Sequence, residues 1–110
     1  MYCILVTGIP AAGKSTLAKA VAQSLSIPMI SKDGLKELLF DHVGFRSREE
    51  KGKLGIASME IMYAVAGQLM EAGQPFLLEN NFECSSTEGL QALLERYRYP
   101  VLTLHLTGDY

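Results

Sequence analysis

The sequence predicts a three-layer α/β fold built on a mainly parallel sheet. Three observations carry that expectation: short, continuously apolar runs recur along the chain, helical segments separate them, and three of the four prolines stand immediately before such runs. Continuous rather than alternating apolar strands suit a parallel sheet covered on both faces. Proline lacks an N–H and is tolerated at a strand's first residue, so Pro28, Pro75 and Pro100 read as strand starts.

The elements follow in order. A first strand over Tyr2–Thr7 leads into a helix from about Lys14 to Leu25, with Leu17, Ala18, Val21 and Leu25 at helical spacing. A second strand, Pro28–Ile30, precedes a helix of about Asp33–Asp41 that carries Leu35, Leu38 and Leu39 and is closed by Gly44. A third helix starts at Ser47, which has capping-box spacing to Glu50, and ends at Gly73. Its apolar face includes Leu54, Met62, Val65 and Leu69, and Met59, Met62 and Met70 read as core filler. The third strand is Pro75–Glu79. A fourth helix follows Ser85 and Glu88, again at capping-box spacing, and presents Leu90, Leu93, Leu94 and Tyr97 before the last strand, Val101–Leu106. Strands alternating with helices predict a doubly wound sheet, whose ligands sit outside the carboxyl ends of the strands.

Composition bounds the function. At 110 residues the chain is one domain or part of one, and 48% apolar residues suffice for a packed core, which excludes disorder. Ten Lys and Arg against twelve Asp and Glu leave a net charge of -2, with no basic excess to hold a nucleic-acid backbone. Cys3 and Cys84 form neither a disulfide framework nor a metal-ligand cluster, which predicts a reducing, cytoplasmic setting. No secretory signal and no run of ~20 apolar residues is present, so no membrane partner is expected.

The sharpest motif is Gly8-Ile9-Pro10-Ala11-Ala12-Gly13-Lys14-Ser15, which matches G-x-x-x-x-G-K-[ST] and is followed by Thr16. It sits where the motif must, between an apolar strand and a helix-forming run. Gly8 and Gly13 permit backbone conformations closed to bulkier residues, so successive N–H groups, those of Ala11 and Ala12 included, can converge on phosphate oxygens. The helix amino terminus adds unpaired donors and a favourable dipole. Lys14 would reach the β- and γ-phosphates, the Ser15 hydroxyl would ligate Mg²⁺, and Thr16 would serve the α-phosphate side.

On these residues the chain resembles the P-loop nucleotide-binding superfamily, and within it the small-kinase branch of zeta-toxin-like and chloramphenicol-phosphotransferase-like proteins, often named AAA family ATPases. The resemblance extends through Ser31-Lys32-Asp33, Leu38-Leu39-Phe40-Asp41 and Glu79-Asn80-Asn81-Phe82. It implies a P-loop kinase-like fold, ATP and Mg²⁺ as cofactors, and transfer of the γ-phosphoryl group to a hydroxyl of a small molecule. It also implies that residues 1–110 are the N-terminal portion of a longer domain that continues into an arginine-bearing lid, another strand and a final helix. Without the lid, this stretch alone is expected to transfer phosphate slowly or not at all.

Other candidates follow from position. Asp33, just beyond the second strand, is implied by the resemblance to contact the acceptor hydroxyl and take its proton, although an Asp there also suits a helix N-cap. Glu79 ends an apolar strand in the manner of a Walker B acid, with Glu in place of the usual Asp, and would serve Mg²⁺ or the acceptor. Asn80 and Asn81 suit acceptor binding or a turn, with Asn81 taken as the substrate candidate. Lys32, Arg46 and Arg48 read as solvated charges near helix ends, His42 as a helix carboxyl-end residue, His105 as a buried or half-buried structural histidine, and Cys3 as an inert core thiol. Two rival functions stay open: an ATPase or GTPase that uses water, and a nucleotide-binding module without turnover.

Overall fold

The apolar opening of the chain forms strand β1 (Cys3–Gly8), buried along its whole length, in a computed structural model that describes residues 1–8, 13–80 and 88–106. Helix α1 (Lys14–Leu25), strand β2 (Met29–Ser31), helices α2 (Lys32–His42) and α3 (Arg48–Glu71), strand β3 (Phe76–Glu79), helix α4 (Glu88–Tyr97) and strand β4 (Val101–Leu106) follow in the expected order. Pro28, Pro75 and Pro100 each stand one residue before a strand. Two of them still join the ladder through their carbonyls: Pro28 accepts from Leu77 N–H and Pro100 from Cys3 N–H, both at 2.9 Å.

All three strand pairings are parallel, in the order β2-β3-β1-β4. The two inner strands, β3 and β1, are buried throughout, as a sheet covered on both faces requires. Alternation along them sends Ile4, Val6 and Leu77 to one face, where Ala18 and Ala22 of α1 close the core. Cys3, Leu5, Phe76 and Leu78 face the other way and meet Met62, Ala66 and Met70 of α3 and Leu90 of α4. Sheet and two helical layers are thus the three layers the sequence predicts.

Caps fix the helix ends. Ser47 Oγ accepts the Glu50 N–H at 3.1 Å, while the Glu50 carboxylate accepts from Arg46 N–H at 2.5 Å rather than from Ser47 itself. Gly44 and Gly73 close α2 and α3 with φ of 76° and 68°. Ser85, the expected cap of α4, lies outside the described residues. The α4–β4 connection is tied back to the α3–β3 turn by Tyr99, whose hydroxyl donates to the Gln74 carbonyl and whose ring packs on Phe76.

Several side-chain placements depart from expectation. Leu25, Leu38 and Val65 are exposed. The expected Ala18 in α1 is joined against the sheet by Ala22, and the expected Met62 and Met70 in α3 lie on an i, i+4 stripe with Ser58 and Ala66. Small residues let a helix axis lie close to the sheet, and that contact sets the rotation of the helix. Of the three methionines, Met62 and Met70 are core residues and Met59 is half-buried. Helix α2 contributes no buried residue, and Leu35 packs only partly against the core.

His105 is exposed, not buried. It lies on the edge strand β4, which is paired with β1 alone, and Val101 and Leu102 are exposed beside it. Among the described residues no helix covers that strand, so its apolar run does not make a core strand. No described helix is long and apolar enough to cross a membrane.

Cys3 is the inert thiol expected. Complete burial pushes it up to about 12 from 9.0. The unfolded chain gives up this proton near its ordinary value while the folded chain retains it, so between the two the unfolded state binds fewer protons. Stability is therefore full below pH ~9 and is lost as pH rises towards 12, and Tyr63 and Tyr99, also raised by burial, act in the same direction. Urea midpoints measured from about pH 8 to about pH 10.5 should fall, and the Cys3→Ala protein should show a shallower fall. Equal slopes would contradict the burial of this thiol.

Candidate active site

The connections of β1 and β3 leave the sheet on opposite faces. After β1 the chain passes to α1 on the face of Ile4 and Val6, and after β3 it passes to α4 on the face of Cys3 and Leu5. The carboxyl ends of these neighbouring strands therefore flank the crevice where ligands bind in open α/β sheets. Of the site residues expected from the sequence, Gly8, Gly13, Ser15, Thr16, Asp33 and Glu79 lie at or just beyond this edge.

Gly8 ends β1 with φ 134°, and Gly13 precedes α1 with φ 75°, conformations that an L side chain resists. A Cβ on Gly13 would meet nothing within 4 Å, so backbone angle and not space demands glycine there. Residues 9–12, with Ala11 and Ala12, lie outside the described residues, as does the Lys14 side chain. Helix α1 has no side-chain cap at Gly13 and no acid in its first turn, whereas α2 and α3 have both and α4 opens on Glu88. An uncapped, acid-free helix start leaves its amide donors and positive dipole end to an anion.

Ser15 and Thr16 follow in that first turn, both exposed as residues. The Ser15 hydroxyl donates to Glu79 Oε1 at 3.0 Å. Glu79 is only 1% exposed, the last residue of β3, in register with Val6 of β1 and Ser31 of β2. A buried carboxylate is costly unless hydrogen-bonded, and this bond ties α1 to the sheet at the edge of the crevice. The pair also fits Mg²⁺: two hard oxygens 3.0 Å apart match adjacent ligands of an octahedron with bonds of ~2.1 Å. Among the described residues no cluster of three or more His, Cys, Asp or Glu could hold a metal alone, and Mg²⁺ in phosphate sites commonly relies on one or two protein oxygens plus phosphate and water.

Asp33 is not the cap of α2. That role falls to Ser31, whose Oγ accepts the Gly34 N–H at 3.2 Å. Asp33 stands in the first turn, half exposed, 3.7 Å from Lys36, an ion pair of little worth in solvent. Its carboxylate is thus spared for another partner, two residues past the strand neighbour of Glu79. Asn81 and Cys84 lie outside the described residues.

Asn80 is the residue that sequence reasoning undervalued. It is 4% exposed, its N–H donates to the Val6 carbonyl at 3.1 Å, and its side-chain Nδ2 is buried without a hydrogen-bond partner. An Asn after a strand suggests a turn, and nothing in the sequence distinguishes that from a buried amide.

Arg46 and Arg48 are exposed and Lys32 opens α2, as expected of charges at helix ends. Arg46 also borders a groove of about 590 Å³ with Val43, Phe45, Glu50, Lys53 and Leu54, at the α2–α3 turn. His42 sits exposed in the last turn of α2 with Nδ1 3.0 Å from the Leu38 carbonyl.

A parallel sheet whose first strand ends at Gly8 of the sequence Gly8–Ser15 and is followed from Lys14 by an uncapped helix, with the serine of that helix bonded to an acid on the neighbouring strand, defines a P-loop nucleotide-binding domain. The family model described as "ATPase family associated with various cellular activities (AAA)" matches residues 4–59, just over half of the chain, and the chain belongs to that family. Among solved structures, a protein from Chloroflexus aurantiacus J-10-fl designated a "putative kinase" superposes with a TM-score of 0.88 at 34% identity, over 96% of this chain and 58% of its own. A gluconokinase from Sinorhizobium meliloti 1021 gives a TM-score of 0.58 at 18% identity, over 98% of this chain and 58% of its own, a likeness of fold. The chain therefore spans less than two thirds of the length of either protein. No curated protein matches it.

The Ser15–Glu79 bond makes a stability prediction. Ser15→Ala leaves a buried carboxylate short of a donor and should cost about 1–3 kcal/mol, a loss that Ser15→Ala should not add to the Glu79→Leu protein. Urea denaturation of the four proteins of this cycle measures the coupling, and strict additivity would show that the bond carries no energy.

Proposed function

We propose that residues 1–110 are the N-terminal portion of a cytoplasmic, Mg²⁺-dependent phosphotransferase that moves the γ-phosphoryl group of ATP to a hydroxyl of a small molecule. The observation that carries this reading is the oxygen pair of Ser15 and Glu79, 3.0 Å apart, at the head of an uncapped helix beside the crevice of the sheet. Membership in an ATPase family supports the nucleotide, and the kinase designation of the Chloroflexus protein favours transfer over hydrolysis.

Each residue takes a role suited to its place. The loop from Gly8 to Gly13, with the Ala11 and Ala12 amides, would cradle the phosphates, and Lys14 and Thr16 would neutralise and bind them from the first turn of α1. Ser15 and Glu79 would hold Mg²⁺, which when bound neutralises charge on the β- and γ-phosphate oxygens. Asp33 would orient the acceptor hydroxyl and accept its proton as the hydroxyl oxygen bonds to phosphorus and the bridging oxygen leaves with ADP. Asn81 would add a hydrogen bond to the acceptor. Positioning and charge supply most of the catalysis in such a transfer.

Two variants test this. Lys14→Ala should abolish tight Mg·ATP binding in calorimetry, and an unchanged affinity would dismiss the phosphate-loop assignment. In the longer protein Asp33→Asn should spare ATP binding while lowering transfer about 100-fold or more, and unaltered turnover would remove Asp33 from the mechanism. Label from γ-³²P-ATP released only as free phosphate, whatever hydroxyl acceptor is offered, would point to hydrolysis instead.

A further inference from the structure

The turn between α2 and α3 carries an apolar surface that the core does not use. Val43 is 67% and Phe45 44% exposed, α2 buries no residue, and the buried stripe of α3 starts only at Ser58. Neither residue, nor the half-buried Leu54 of α3, belongs to a described core cluster. The turn closes without their side chains: the Val43 and Gly44 N–H groups donate to the Leu39 carbonyl, and Ser47 and Glu50 cap α3. Apolar side chains gathered in the open and rimmed by charge mark interaction sites, whereas scattered ones do not.

Val43, Phe45 and Leu54 line the groove of about 590 Å³ at this turn, a size suited to a small molecule, since ligand pockets run from about 300 to 1,000 Å³. Charge narrows the choice. Arg46 and Lys53 line the same groove. Lys51 stands 5.6 Å from the centre of the Phe45 ring and 5.9 Å from that of Phe40, and the two rings meet edge to face at 4.9 Å. Against these three cations stand two carboxylates, both engaged: Glu50 accepts the Arg46 N–H at 2.5 Å, and Glu49 lies 4.0 Å from Lys53. Among the described residues Arg46 and Lys51 have no ion pair. Cations without a counter-charge beside an apolar wall complement a molecule with an anionic head and an apolar body.

Distance separates this groove from the crevice of the sheet. Asp33 stands in the first turn of α2 and Val43 follows its last, ten residues on, so about 15 Å of helix lies between them. We propose that the groove is a binding site separate from the crevice, for a soluble organic anion whose carboxylate or phosphate pairs with Arg46 and Lys51 while its apolar body lies against Val43, Phe45 and Leu54. The inference goes beyond phosphoryl transfer and does not depend on it.

Calorimetry on residues 1–110 with octanoate, 4-phenylbutyrate, the neutral octanamide and acetate tests the pairing of anionic head with apolar body. Octanoate or 4-phenylbutyrate should bind at one site, with octanamide and acetate each weaker by about tenfold or more. Arg46 and Lys51 are exposed, so the double variant Arg46→Gln, Lys51→Gln should keep its fold, bind the apolar anion about tenfold more weakly and hold octanamide as before. Saturating Mg·AMP-PNP, a non-hydrolysable ATP analogue, should leave the anion in place. Four results would each overturn the proposal: no saturable binding of either apolar anion, octanamide bound as well as octanoate, an anion affinity that the double variant retains, or displacement by the nucleotide, which would put the anion in the phosphate loop. Binding to phosphatidylglycerol vesicles without affinity for either free anion would overturn it as well, and would make the turn a membrane contact.

Discussion

The pairing of β1 with β3 is the constraint on which the rest of the molecule depends. Each strand is buried on both faces, so its peptide groups have no water to turn to and must be satisfied along the ladder. Cys3 to Val6 pair with Phe76 to Glu79 residue by residue, and a slip of one position would exchange the two faces. Leu77 would leave the α1 core, Phe76 and Leu78 would leave the α3 core, and the buried carboxylate of Glu79 would turn away from Ser15. One register therefore sets both apolar layers and the polar end of the sheet together.

That coupling explains why the inner strands bury polar groups at one end only. The buried polar residues named among those described are Thr7, Ser58, Glu79 and Asn80; Thr7, Glu79 and Asn80 lie at the carboxyl ends of β1 and β3. Below them the strand faces are apolar. Glu79 is stabilised by Ser15, and Ser58 satisfies itself by donating to the Gly55 carbonyl at 2.7 Å. The Asn80 donor has no such internal solution. A fold optimised for stability alone would replace it with an apolar residue, as sites that bind ligands commonly give up some stability to keep groups ready for them.

Much of this was legible in the residues. The strand–loop–helix context of Gly8 to Ser15, the proline punctuation and the Ser47 cap each follow from local chemistry that tertiary structure does not override. Helix rotation was less legible. The expected face of α1 holds Leu17, Ala18, Val21 and Leu25, of which Ala18 is buried together with Ala22 while Leu25 is exposed, because close approach to a strand pair favours small side chains over large ones. An Asp33 cap for α2, the alternative to its acceptor role, lies two residues past the observed cap, Ser31, since both residue types accept from helix amides and the apolar run suggests a strand end at Ile30 instead of Ser31. His105 misled because an apolar strand reads the same at the edge of a sheet as at its centre; only strand order, which local pattern does not encode, shows that β4 is outermost.

The two residues at the end of β3 bear on the choice between hydrolysis and transfer. Activating water requires a base aimed at the nucleophile, and a carboxylate or imidazole serves. Glu79 is turned to Ser15, a position that suits the metal and not the nucleophile. Asn80, the next residue, is an amide that takes no proton at neutral pH. Of the carboxylates carried over to the site from the sequence, that leaves Asp33, which helix capping does not use and which its half-exposed neighbour Lys36, 3.7 Å away, holds only weakly. A base on the first turn of α2 stands off the end of β2, at the margin of the crevice, and not on β3 at its centre. In the proposed reading such a base is better placed to meet a hydroxyl presented by a bound molecule than to order a lone water against the phosphate, and that reading therefore calls for an acceptor that brings its own binding energy.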